Sequence, residues 1–127
     1  MKVTLITATY NSQKYLEDCI TSVIRQGYKD IEHIIVDGKS SDKTVDIIKK
    51  YESHIAWWVS ETDRGMYDAI NKGMKMATGD IIGILNSDDM LDSDDVIESI
   101  VQAFEEKNVD SIYGDLEYVD PDDTNKI

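Results

Sequence analysis

The feature that most constrains this chain is a change of hydrophobic period that recurs along it. Short β-branched or aromatic runs read as strands: "VTLITA" (3–8), "IEHIIVD" (31–37), "HIAWWVS" (54–60), "DIIGILN" (80–86) and "SIYG" (111–114). Between them the period lengthens to 3.6 residues. Leu16, Cys19, Ile20, Val23 and Ile24 fall on one helical stripe, and Val45, Ile48 and Tyr51 on a weaker one. Met66, Ala69, Ile70, Met74 and Ala77 make a third stripe, and Ile97, Ile100, Val101 and Phe104 a fourth. Asn11 or Ser12 is placed to cap the first helix, Asp92 or Ser93 the last, and Gly79 to close the third. The order predicted is β-α-β-α-β-α-β-α-β. With near-continuous apolar strands, it argues an α/β fold whose mostly parallel sheet is covered on both faces by helices.

At 127 residues the chain reads as one domain, large enough to bury a core without disulfides or metal staples. No apolar run approaches the roughly 20 residues of a spanning helix, and the N-terminus passes straight into a strand with no signal-peptide pattern. A lone cysteine, Cys19, demands no oxidising compartment, so the cytoplasm is the expected location. The net charge of -13 is uneven. Residues 1–79 hold 11 acids and 11 Lys or Arg, whereas residues 80–127 hold 15 acids against Lys107 and Lys126. That stretch repels nucleic acid and anionic lipid, and suits a divalent cation or a solvated acidic surface.

In open α/β sheets ligands bind outside the carboxyl ends of the strands. There the chain places "ATYN" (8–11), "DGKSSD" (37–42), "ETDRG" (61–65) and "NSDDM" (86–90). Turns alone do not require this concentration of Asp. Asp88 and Asp89 are read as ligands of a hard divalent cation, Mg²⁺ or Mn²⁺, because adjacent carboxylates are costly unless a positive charge or a proton joins them. The competing reading is an Asx-type cap for the helix that follows. An EF-hand is excluded: counted from Asn86, the fifth position is Met90 and the sixth Leu91. Asp37, closing the second strand, can accept hydrogen bonds from a base or ribose. "TATYNS" after the first strand carries neither G-x-G-x-x-G nor a P-loop, which disfavours a nicotinamide cofactor and P-loop ATPase chemistry. Neutralising a diphosphate then falls to metal and side chains, among which Arg64 is the one arginine at a strand end.

"VTLITATYNSQKYLEDCITSVIRQ", "IEHIIVDGKSSDKT", "DRGMYDAINKGMKMATGDIIGILNSDDM" and "YGD" together resemble the successive motifs of glycosyltransferase family 2, enzymes of GT-A fold that use nucleotide-activated sugars. The resemblance runs through almost the whole chain. It implies a nucleotide-sugar donor, with uridine favoured, and a glycan or lipid-linked acceptor. It carries Thr9, Tyr10 and Asn11 over as neighbours of the base and Asp37 as the base's hydrogen-bond acceptor. It places Asn86, Ser87 and Asp88 on the short acidic D-x-D element that holds the metal. Asn86 stands where the first acid is usual, so the resemblance gives it ribose contact and makes Asp88 the principal metal ligand. Arg64 falls near the donor's phosphates and sugar, with Asp68 one helical turn beyond.

The family transfers the sugar with inversion, a carboxylate deprotonating the acceptor hydroxyl. That base comes from a motif well after "YGD". The chain, ending after "DPDDTNKI", therefore reads as the donor-binding part of a longer enzyme, with membrane contact only through the missing parts. Asp115, in "YGDLEY", lies near the acceptor's approach without being assigned as base. A nucleotide- or metal-binding module without chemistry is the alternative. A phospho-receiver is disfavoured, since it needs acids after the first strand and a lysine after the fifth, where "TATYN" and "YGDLEY" stand. Trp57 and Trp58 point to opposite sheet faces, so at least one packs in the core. Cys19 is read as a buried small hydrophobe, and His33 and His54 as structural residues in strands.

Overall fold

The structure, a computed structural model, describes residues 1–107. The fifth strand expected at 111–114 and Asp115 lie outside the described residues. Within them the chain forms β1 (Val3–Thr9), α1 (Leu16–Ile24), β2 (Ile31–Asp37), α2 (Thr44–Lys50), a 3-10 turn (Glu52–His54), β3 (Trp57–Ser60), α3 (Met66–Met76), β4 (Ile81–Ile84) and α4 (Val96–Lys107). The strands make one parallel sheet in the order β3-β2-β1-β4. Among the described residues no helix is long and apolar enough to cross a membrane.

Right-handed crossovers decide which helix lies on which face. The chain steps outward from β1 to β2 to β3, then returns past β1 to β4, so the connection holding α3 must take the other side. α3 packs against β1 and β2, where Ala69 joins Ile6, Ile34 and Val36 in the smaller core. The larger core, on the opposite face, joins Leu5, Ile35 and Ile81 to Leu16 and Ile20 of α1, Ile48 of α2, and Ile97 and Val101 of α4. Trp57 packs on the first side and Trp58 on the second, as alternation along a strand requires. The reversal of strand order falls between β1 and β4, which fixes a crevice outside their carboxyl ends.

Several local expectations are corrected. α1 begins at Leu16, whose N–H reaches the Ser12 carbonyl at 3.1 Å, but neither Asn11 nor Ser12 caps the helix with its side chain, because both side chains are engaged at the sheet edge. The buried stripe of α3 is Ala69, Ile70 and Gly73, while Met66 and Met74 are exposed. α3 ends with Ala77 in an extended conformation, so Gly79 does not close it. Gly79 instead donates its N–H to Thr4 Oγ1 at 2.9 Å, and a Cβ there would stand 2.5 Å from that oxygen. Asp92 and Ser93 precede the first turn of α4, and the Ser93 hydroxyl bonds Asp95. His54 lies in the 3-10 turn, exposed, rather than in a strand. Among the described residues, Ile82 and Ile84, on the α3 side of β4, are exposed.

Candidate functional site

Parallel register brings three polar residues into one row at the carboxyl end of the sheet, Thr9 opposite Asp37 and Asp37 opposite Ser60. Asp37 is fully buried, and its carboxylate is the hub of that row. Oδ1 accepts from the hydroxyls of Thr9 and Ser40, both at 2.6 Å. Oδ2 accepts from the Ser40 N–H at 2.9 Å and the Ser60 hydroxyl at 2.8 Å. Burial works to raise the carboxyl's pKa, but the bonds from Ser40, Thr9 and Ser60 outweigh it and hold Asp37 below the ordinary carboxylate value.

The same hub ties the first two strand-end loops together. The Asn11 N–H bonds Ser40 Oγ at 2.8 Å, and Asn11 Oδ1 accepts from the Ser41 N–H at 2.9 Å. The Ser12 N–H reaches Thr44 Oγ1 at 2.7 Å. Asn11 and Lys39 adopt positive φ, 47° and 63°, a conformation that costs a side-chain-bearing residue of order 1 kcal/mol and persists where its surroundings enforce it. Asn11, expected beside a base, thus spends its side-chain oxygen on Ser41. Thr9 is buried against Asp37, whereas Tyr10 presents its ring at 67% exposure.

Beside this framework lies a cavity of about 600 Å³, lined by Thr9, Tyr10, Gly38, Thr62, Asp63 and Met66 among others. Arg64, next in sequence to that wall, is exposed, and among the described residues its guanidinium has no ion-pair partner. Asp68 serves the entry to α3: its Oδ2 accepts the Arg64 N–H at 3.0 Å and lies 3.8 Å from Lys72 Nζ.

After β4, the Ser12 and Ser87 hydroxyls meet at 3.1 Å and link the first and fourth strand-end loops. Asn86 and Ser87 are half-buried, Asp88 is exposed and Asp89 is buried. Asp89 donates its N–H to the Asn86 carbonyl at 3.0 Å, closing a turn that presents Asp88 to solvent. The Leu91 N–H anchors the loop to Ser22 Oγ at 3.0 Å. Asp89 Oδ2 is buried without a hydrogen-bond partner. Burial, and then the neighbouring charge of Asp88, push the Asp89 carboxyl above its usual value against an opposing bond from Asn86. An orphaned carboxylate oxygen beside an exposed carboxylate is what a cation or a proton would satisfy. The pair therefore fits a divalent ion held by one or two protein carboxylates, and no larger cluster of acids, His or Cys suited to a metal occurs among the described residues.

The sequence-predicted residues thus form two groups at the carboxyl edge of the sheet, linked through Ser12 and Ser87: Thr9, Tyr10, Asn11 and Asp37 with Arg64 nearby, and Asn86, Ser87, Asp88 and Asp89. Sequence reasoning missed Ser40, Ser60 and Asp63. The signal for all three was their place at strand ends, in "DGKSSD" and "WVSETDRG".

The family model described as Glycosyl transferase family 2 matches residues 4–127. The chain belongs to glycosyltransferase family 2. It is 38% identical over 114 residues to an uncharacterized glycosyltransferase of Mycobacterium tuberculosis, which covers 88% of this chain and 44% of that one. It is 30% identical over 126 residues to the glycosyltransferase GlyG of Streptococcus pneumoniae, covering 97% of this chain and 42% of GlyG. The chain spans less than half the length of these curated family 2 relatives. In three dimensions it is similar to Staphylococcus aureus TarS 1-349, solved in complex with UDP-GlcNAc, with TM-score 0.78, 26% identity, and coverage of 85% of this chain and 32% of TarS. It is also similar to a mannosyltransferase of Pyrobaculum calidifontis, solved with GDP-Man and Mn²⁺, with TM-score 0.75, 27% identity, and coverage of 81% and 32%. The parallel sheet and its helices are thus those of the GT-A glycosyltransferase fold.

Proposed function

We propose that this chain is the donor-binding part of an inverting glycosyltransferase that takes a sugar from a UDP-sugar and passes it to the hydroxyl of a glycan or lipid-linked acceptor. The observation that carries the reading is the cavity at the carboxyl edge of the sheet, with an exposed aromatic ring, Tyr10, on its wall, and an acid pair in the fourth strand-end loop, which the Ser12–Ser87 contact ties to the first. A ring so placed offers a stacking face to a base. Arg64 offers the planar, permanent charge that suits a diphosphate. Asp88, exposed at the tip of its turn, would hold the divalent ion, with Asp89 next to it in sequence and Asn86 assigned to the ribose. When bound, such an ion supplies positive charge to the diphosphate as it departs. The base that deprotonates the acceptor is assigned to no described residue.

That two structurally similar enzymes were solved with nucleotide sugars, one of them with Mn²⁺, supports the reading. Thermal denaturation of the 127-residue chain with UDP tests it. Stabilisation by UDP in the presence of Mn²⁺, lost on adding a chelator, is the expected result. Equal melting with and without UDP at millimolar concentrations counts against a donor site.

A further inference from the structure

We infer that Asp63 reads the nucleobase of the donor and selects a base with a single in-plane N–H, the pattern of uracil. The inference rests on the reading of the cavity as the donor site.

Asp37, the acid expected to meet the base, is committed elsewhere. Each of its oxygens already accepts two hydrogen bonds, and the residue has no exposed surface. A further donor would have to displace Thr9, Ser40 or Ser60. The next acid along the edge is Asp63, which lines the cavity together with Gly38 and Tyr10. Its carboxylate occupies the space where a side chain at position 38 would stand: a Cβ on Gly38 would lie 2.9 Å from Asp63 Oδ2 and 3.3 Å from Cγ and Oδ1. The absent side chain of Gly38 therefore admits an acid from the third strand-end loop to the end of β2.

The two oxygens of Asp63 are not equivalent. Oδ1 accepts the Gly65 N–H at 3.0 Å, which fixes the carboxylate at the start of α3. Oδ2, on the side of Gly38, has no hydrogen-bond partner among the described residues, and it is not sealed from solvent. An ionised carboxylate only accepts, so it favours a base edge that donates and opposes one that presents a ring-nitrogen lone pair. Uracil donates through N3–H, whereas cytosine and adenine present an acceptor at the matching ring position. Guanine donates through both N1–H and its exocyclic amine, which calls for two oxygens where one is open. The geometry therefore suits one donor.

The test measures binding of UDP, 3-methyl-UDP, CDP and GDP, with Mn²⁺, to the parent and to Asp63→Asn. The substitution keeps an oxygen for Gly65 and replaces the open oxygen by an amide that donates. The parent should prefer UDP, and methylating N3 should weaken it by roughly 10- to 100-fold, the range for a charge-assisted hydrogen bond. Asp63→Asn should lose a similar factor for UDP while its preference turns toward CDP. Equal loss for every nucleotide would make Asp63 merely structural and overturn the inference, as would a parent that prefers GDP or ignores the N3 methyl group. Should the variant fail to fold, the parent's response to the methyl group decides alone. Unchanged, metal-dependent UDP binding in Asp63→Asn removes this inference and leaves the donor site standing. A parent that binds none of the four nucleotides removes both.

Discussion

Thr9 and Asp37 stand opposite each other at the last register position of β1 and β2, joined by a 2.6 Å hydrogen bond between two buried side chains. Ser40 and Ser60 complete that contact, so one carboxylate holds the ends of three strands and the second strand-end loop in a single arrangement. The wall of the cavity is consequently built on the sheet itself, which is how a binding constellation keeps its geometry.

Replacing Asp37 by Asn would turn one acceptor into a donor facing donors. Hydrogen bonds to charged groups are worth more than neutral ones, and buried partners left unsatisfied add to the cost. We expect a loss of about 2 to 4 kcal/mol in unfolding free energy, read by urea denaturation. A loss below about 0.5 kcal/mol would show that the network contributes little beyond what solvent supplies.

His33 predicts a pH dependence. It is fully buried on β2, its Nε2 is 2.8 Å from Thr7 Oγ1, and burial pushes its pKa down from 6.5 to about 4. As pH falls below 6.5 the unfolded chain gains a proton that the folded chain refuses until near pH 4. Stability from this residue is therefore complete at pH 7.5 and declines across that window, by about 2 kcal/mol at pH 5. Glu32, Asp37 and Asp42 are held below their ordinary values, so their contributions persist above the usual carboxylate range and are lost at lower pH. Denaturation at pH 7.5 and pH 5 should show the decline in the parent and a much smaller one in His33→Gln.

Cys19 predicts chemical silence. It is buried on α1, its thiol is directed at the Asn86 carbonyl at 3.6 Å, and burial pushes its pKa up to about 12. Reaction requires the thiolate, so alkylation by iodoacetamide at pH 8 should proceed only through unfolding and be fast in denaturant. Rapid labelling of the native chain would contradict the packing of α1 under the fourth strand-end loop.

The alternating periods made the architecture legible, because a right-handed parallel crossover leaves few arrangements for β-α-β-α-β-α-β. The ligand edge was legible for the same reason: strand ends lie together whatever the side chains do. What escaped was the choice among neighbours that depends on register and close approach. Asn11 and Ser12 look like caps in sequence, but in space they face Ser40, Ser41, Thr44 and Ser87. Asp37 looks like a ligand-facing acid, and only the register shows Thr9 and Ser60 beside it. Asp63 gains its place from the missing Cβ of a residue 25 positions earlier, Gly38, which no local pattern reports. Met66 and Met74 fit the helical stripe, yet α3 lies over β1 and β2 and buries Gly73 instead.

Calorimetric titration of UDP into the parent and into Asp88→Asn, each with and without Mn²⁺, separates a metal-bridged donor site from a nucleotide pocket that needs no metal. The parent should bind in a metal-dependent manner, and the variant should lose that dependence and bind at least about tenfold more weakly. Binding by the parent that ignores Mn²⁺, or an unchanged metal response in Asp88→Asn, would contradict the role given to the acid pair after β4.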